Sequence, residues 1–170
     1  MLEIAPGPGY LAVELARVGL EVTGLDISRS FVRIANETAE RAGVTVDFRC
    51  GDAAAMPFEA ESFDFLVCRA AFKNFSDPVG ALKEMRRVLR PGGRGLLIDM
   101  RRDASDGEIA EEVAKMRLGG VDAFITRGAL RSLRRRAYAR ADFARMISEA
   151  AFSASEIRPG PIGFEIRLTK

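Results

Sequence analysis

Short apolar runs alternate along this chain with stretches whose apolar residues recur at helical spacing, the pattern of a parallel sheet covered by helices. LEIA (2–5) reads as a strand running into the loop PGPG (6–9), and YLAVELARVG (10–19) as a helix that Gly19 terminates. EVTGLD (21–26) is a second strand. Ser28 caps a helix reaching about Ala42, with Gly43 as its stop. TVDFR (45–49) and FDFLVCR (63–69) follow as strands, the latter apolar enough to be central. Asp77-Pro78 pairs an N-cap acceptor with proline at the first helical position, and Val79, Leu82, Met85, Val88 and Leu89 then recur on one face. Pro91-Gly92-Gly93 is expected to end that helix before a fifth strand, GLLIDM (95–100). Residues 103–137 look helical and charged, DFARMISEAAF (142–152) amphipathic, and SASEIR and IGFEIRL read as two closing strands.

The expected fold is therefore α/β, a doubly wound and mostly parallel seven-stranded sheet with a closing antiparallel strand pair. At 170 residues, with 48% hydrophobic and 29% charged positions, it reads as a single domain over 1–170. The segment 103–137 stands apart as a substrate-side cap. No run approaches the roughly 20 apolar residues of a membrane span, and MLEIAPGPGY is not a signal peptide. Cys50 and Cys68 are too few for a disulfide framework, and free thiols suit a reducing cytoplasm. Histidine is absent, which excludes HExxH metal sites, serine or cysteine dyads with histidine, and any histidine base.

Gly7 and Gly9 let the backbone turn sharply and approach a ligand, and ligands of open α/β sheets sit beyond the carboxyl ends of the strands. Asp26, ending the second strand, is placed to accept hydrogen bonds from a ribose diol. Together they suggest an adenosine-containing cofactor. Taken alone, Gly7-Pro8-Gly9-Tyr10-Leu11-Ala12 also fits a nicotinamide dinucleotide fingerprint or a tight turn with no ligand at all.

Leu2-Glu3-Ile4-Ala5-Pro6-Gly7-Pro8-Gly9-Tyr10, Gly24-Leu25-Asp26-Ile27-Ser28, and Gly51-Asp52-Ala53 followed by Met56-Pro57-Phe58 resemble, in order and spacing, three motifs of the class I methyltransferases. Ser62 to Val67, the stretch from Asp77-Pro78 through Glu84 and Arg87 to Gly93, and the terminal Tyr138, Asp142-Phe143, Phe152 and Gly163-Phe164-Glu165 also match. The likeness is to the small-molecule group related to quinone-biosynthesis C-methyltransferases. It implies a Rossmann-like fold, S-adenosylmethionine as cofactor and S-adenosylhomocysteine as product. It also implies that Glu3, Ala5, Gly7, Gly9 and Tyr10 surround the methionine portion, Asp26 and Ile27 the ribose, and Asp52 and Ala53 the adenine. Residues 69–74, Arg69 first, would lie beside the methyl group.

Three departures from that family matter. Ala5 stands at its first glycine, at a cost of on the order of 1 kcal/mol if the backbone needs positive φ. Lys73-Asn74 stands where many relatives carry histidine, and Lys73 reads as solvated. The chain also opens inside its first strand, so the family's N-terminal lid helices are expected to be missing. No catalytic residue is assignable. Asp99 and Tyr138 are candidate bases by position, with a strand-end cap and a packing residue as the plainer readings. Arg127, Arg131, Arg134, Arg135, Arg136 and Arg140 are read first as a solvated face, then as a mouth for an anionic small-molecule acceptor. Nucleic acid is disfavoured for want of interleaved aromatics, and homo-oligomers are left open. The leading function is methyl transfer to carbon or oxygen of a small molecule. The competing readings are a non-catalytic binding or scaffolding module and a nicotinamide-dependent oxidoreductase.

Overall fold

The computed structural model describes residues 1–170, and its strands join one sheet in the order β3-β2-β1-β4-β5-β7-β6. These are β1 (Leu2–Ile4), β2 (Thr23–Asp26), β3 (Asp47–Cys50), β4 (Phe63–Arg69), β5 (Leu89–Met100), β6 (Ala154–Pro159) and β7 (Gly163–Thr169). The first five pair in parallel, while β7 runs antiparallel to both β5 and β6. The order reverses at β1/β4, so the carboxyl ends of those strands open a crevice where a ligand can sit.

Six helices connect or flank the strands: α1 (Tyr10–Arg17), α2 (Arg29–Ala42), α3 (Pro78–Val88), α4 (Asp106–Lys115), α5 (Gly120–Arg134) and α6 (Arg140–Ala150). Their ends follow local chemistry. Ser28 accepts from the Phe31 amide at 3.3 Å to start α2, and Gly43 ends it in the left-handed region. Asp77 accepts from Gly80 at 2.8 Å with Pro78 at the first helical position. Ser105 and Glu108 form a reciprocal capping box on α4.

Alternation along the strands splits the core. Leu2, Ile4, Leu66, Cys68 and Leu97 face α3 and α6 in the main cluster, whereas Val22 and Phe48 join Ala12, Val13, Ala35 and Ala39 on the side of α1 and α2. A smaller cluster of Met100, Ile109 and Ala137 ties α4 to the end of β5.

Two expectations change. Pro91-Gly92-Gly93 does not separate helix from strand: α3 ends at Val88, and β5 begins at Leu89, paired with Phe63. The pairing resumes at Phe65 with Arg94, so β5 absorbs residues 90–93 as an irregularity. Residues 103–137 resolve into two helices, α4 and α5, and α6 spans Arg140–Ala150 rather than 142–152.

Candidate functional site

β1 stops at Ile4 because the next residue leaves extended geometry. Ala5 takes φ 55°, while its amide still donates to the Leu25 carbonyl at 2.8 Å. Gly7 has φ 55°, and a Cβ there would meet nothing within 4 Å, so the loop backbone is open on that side. Gly9, at φ 81°, is required by packing as well: a Cβ would lie 2.9 Å from that of Ala35 and 2.8 Å from the Phe48 ring. The two glycines thus do different things, one presenting open backbone and the other seating α1 against α2.

Asp26 is buried at the end of β2 and organises the loop. Its Oδ2 accepts from the Gly7 amide at 3.0 Å and its Oδ1 from the Ser28 amide at 2.9 Å. Each oxygen keeps a second lone pair, which leaves the carboxylate able to accept from a diol.

A cleft of about 280 Å³ opens beside these residues at the carboxyl ends of β1 and β2. Ala5, Ile27, Asp52 and Ala53 line it, together with Gly51. Asp52 turns the chain there, its Oδ1 accepting from Ala54 at 2.9 Å. The opposite wall is Asn74, the end of the stretch 69–74 expected beside the methyl group, with Phe75, Ser76 and the helix-capping Asp77. That wall hangs from a short 3₁₀ turn, Phe72–Asn74.

Two further residues missed in the sequence hold the Asp52 loop. Glu84 Oε2 accepts from the Met56 amide at 2.8 Å, and Arg87 donates to the Met56 and Phe58 carbonyls while pairing with Glu84. Arg87 holds the Glu84 carboxyl below its usual pKa, with the Met56 amide acting in the same direction. Their spacing on α3 was visible, but the loop they grip lies 28 residues away in the chain.

Glu3 alternates with Leu2 and Ile4 and so faces α1. It is 4% exposed, and its Oε2 is buried without a hydrogen-bond partner. Burial raises its pKa to about 7, against the opposing pull of the Ala12 amide and the Arg69 cation. An orphaned carboxylate oxygen beside an open glycine loop is suited to a cationic ammonium group, and the Asp26 and Asp52 loops are suited to a nucleoside.

The remaining positions lie elsewhere. Tyr10 is 68% exposed in a depression between α1 and α2. Arg69 edges a larger groove of about 720 Å³, whose apolar floor of Leu11, Leu15, Phe65, Val67 and Leu96 lies on the sheet face beside α1. Lys73 is not solvated. It is buried, and its Nζ donates to Asp99 Oδ1 at 2.8 Å and to the Ala70 carbonyl. Asp99 also accepts from the Lys73 and Met100 amides, so it is committed to structure rather than free as a base. Tyr138 packs edge-on to Phe72 and Phe143, in keeping with a packing residue. The arginine run also divides: Arg134 reaches Asp106 and the Ala104 carbonyl, while Arg135 and Arg136 are exposed.

Residues 2–97 match the family model described as "Methyltransferase domain". The chain belongs to this methyltransferase family. It is the class I type, whose cofactor is S-adenosylmethionine. Among similar proteins, an uncharacterized methyltransferase, YcgJ of Bacillus subtilis, is 38% identical over 100 residues, covering 58% of this chain and 40% of that protein. A demethylmenaquinone methyltransferase of Thermus thermophilus is 40% identical over 101 residues, covering 58% of this chain and 46% of the relative. This methyltransferase chain therefore matches less than half the length of either. The crystal structure of YcgJ superposes with a TM-score of 0.70 at 28% identity over 93% of this chain and 63% of that one. A SAM-dependent methyltransferase structure from Aquifex aeolicus shares the fold at TM-score 0.76 and 18% identity, covering 99% of this chain and 80% of that one. No helix of the methyltransferase is long and apolar enough to cross a membrane.

Proposed function

We propose that this chain transfers a methyl group from S-adenosylmethionine to a small-molecule acceptor at carbon or oxygen. The observation that carries the reading is that one cleft at the carboxyl ends of β1 and β2 is lined by Ala5 and Ile27, which flank the Gly7–Asp26 hydrogen bond, and by Asp52 and Ala53. Glu3 and loop 5–9 hold the methionine portion, Asp26 with Ile27 the ribose, and Asp52 with Ala53 the adenine. The bound cofactor supplies a methyl carbon that is already activated for displacement. The chain's task is then to orient both reactants and to exclude water.

With no histidine in the chain and Asp99 tied to Lys73, neither of these serves as a general base. That favours acceptors that are nucleophilic without help or that lose their proton readily, such as electron-rich or acidic hydroxylated rings. The named activity of the Thermus relative, on demethylmenaquinone, supports an acceptor of that kind. We read residues 1–170 as one domain with 103–137 as its acceptor-side cap.

Calorimetric titration with S-adenosylhomocysteine and with NAD tests the cofactor, and radiolabelled methyl transfer to quinols and catechols tests the acceptor. Binding of the homocysteine product but not NAD is expected, and the Asp26→Ala variant should bind it more weakly by roughly 2–3 kcal/mol. Absence of binding to either compound would instead mark a scaffolding module of the same fold.

A further inference from the structure

Helix α5 is 15 residues long and buries none of them. Its inward side is only half-covered, at Ala123, Thr126, Leu130 and Arg134, with Leu130 touching the Met100–Ile109–Ala137 cluster. At about 100° per residue, Val121, Phe124 and Ile125 fall on the opposite side. They are 74%, 78% and 61% exposed. Met116 and Leu118, in the turn before α5, extend the same exposed apolar character.

Positive charge dominates the segment, with Arg117 and Arg127 nearest the apolar tip and the other arginines at the far end of the helix. Between residues 116 and 136 stand Arg117, Arg127, Arg131, Arg134, Arg135 and Arg136, against Asp122 alone. Arg131 and Arg134 are turned toward Asp106. Arg117, Arg127, Arg135 and Arg136 are exposed with no carboxylate in ion-pair range.

We propose that the outward face of α5 docks on an anionic lipid surface, lying in the interface with Val121, Phe124 and Ile125 below the headgroups and the arginines among them. An apolar wedge flanked by cations, on a helix too short and too charged to span, is the form that partitions into a bilayer interface. Arginine stems add apolar contact while their heads stay at the phosphates. A second copy of this chain is a poor occupant, because joining two such faces brings like charges together. The proposal rests on α5 alone and stands apart from the methyl-transfer reading.

The chain contains no tryptophan, so Phe124→Trp gives a single reporter at the tip. Adding vesicles of phosphatidylcholine with about a quarter phosphatidylglycerol should shift its emission to the blue. Phosphatidylcholine alone should leave it unchanged. In co-sedimentation of the unlabelled chain with the same vesicles, Phe124→Ser with Ile125→Ser should lower partitioning at least tenfold. Both positions are exposed, so the thermal unfolding midpoint of that variant should hold. Replacing Arg117, Arg127 and Arg135 by Gln should lower partitioning on the order of a hundredfold, about fivefold per charge, and remove most of its salt dependence. The proposal is overturned by equal binding to both vesicle types or by an unshifted reporter. It is equally overturned by variants that sediment like the parent chain, or by self-association that rises with protein concentration while the vesicles stay bare. None of these readouts needs cofactor, so they are independent of the titration that tests methyl transfer.

Discussion

Lys73 and Asp99 form a buried ion pair, Nζ to Oδ1 at 2.8 Å, with side chains only 3% and 1% exposed. The pair ties the 3₁₀ turn Phe72–Asn74 to the end of β5, and the next residues, Asn74 to Ser76, form one wall of the cleft. Lys73 also reaches the carbonyl of Ala70, whose φ of 58° is left-handed, so one ammonium group fastens both ends of a strained connection. Breaking a buried pair from one side strands the other charge, at about 3–5 kcal/mol. Lys73→Met should therefore lower unfolding stability by roughly 3 kcal/mol in urea titration, and adding Asp99→Asn, which removes the stranded charge yet keeps an amide oxygen for the Lys73 and Met100 amides, should recover part of it. A Lys73→Met variant as stable as the parent would show that the pair contributes nothing.

Glu3 makes stability depend on pH in the sense opposite to most carboxylates. Its folded pKa is near 7, above the ordinary value of 4.5, because burial penalises the charged form. The fold therefore favours the protonated acid. Its contribution is fully present below about pH 4.5 and is lost as pH rises through 7. The raised value corresponds to about 3 kcal/mol between those limits. Relative to Glu3→Gln, the parent chain should lose about that much as pH goes from 4.5 to 8 in chemical denaturation. Parallel curves for the two proteins would place the Glu3 titration in the ordinary carboxylate range.

The Glu84–Arg87 pair should matter to ligand binding without touching ligand. Glu84 accepts the Met56 amide, and Arg87 takes two carbonyls of the same loop, so together they set where Asp52 and Ala53 sit. Glu84→Ala leaves a part-buried amide unpaired and frees that loop. Affinity for S-adenosylhomocysteine should fall by about tenfold, equivalent to about 1.4 kcal/mol. Calorimetry of the variant checks this, with circular dichroism to confirm the fold. Undiminished affinity would show that the loop is held by its own Asx turn.

Local signals were legible and long-range ones were not. Ser28, Gly43 and Asp77-Pro78 mark helix ends because a cap needs only its own few residues, and the structure ends α2 and begins α3 there. The mostly parallel sheet followed from alternation of strand and helix, and the placing of Gly7 and Asp26 at one site from a recurrent loop. Lys73 was misread as solvated because its partner, Asp99, is 26 residues away and meets it only once β4 and β5 pair. Pro91-Gly92-Gly93 looked like a terminator, yet pairing on either side of it carries β5 through. Of the cleft wall, Asn74 ends the stretch 69–74 expected beside the methyl group, whereas Phe75 and Ser76 belong to no motif and only position identifies them.

Ala5 offers a direct measure of how far the loop conformation is imposed on its sequence. Its φ of 55° is a conformation that an L side chain adopts at about 1–2 kcal/mol. The carbonyl of Leu25 holds its amide in place, and Gly7 and Gly9 on the same loop also have positive φ, so the turn is set by the loop rather than by residue 5. Glycine removes the strain but brings a more flexible unfolded chain, which offsets part of the gain by about 0.4–1 kcal/mol. Ala5→Gly should thus raise stability by roughly 0.5–1 kcal/mol in urea titration. Because Ala5 also lines the cleft, loss of its methyl group should leave affinity for S-adenosylhomocysteine equal or better. A destabilised variant would mean that the left-handed turn at residue 5 is not held in solution. A stabilised variant with much weaker binding would mean that the Ala5 methyl group itself contacts the ligand.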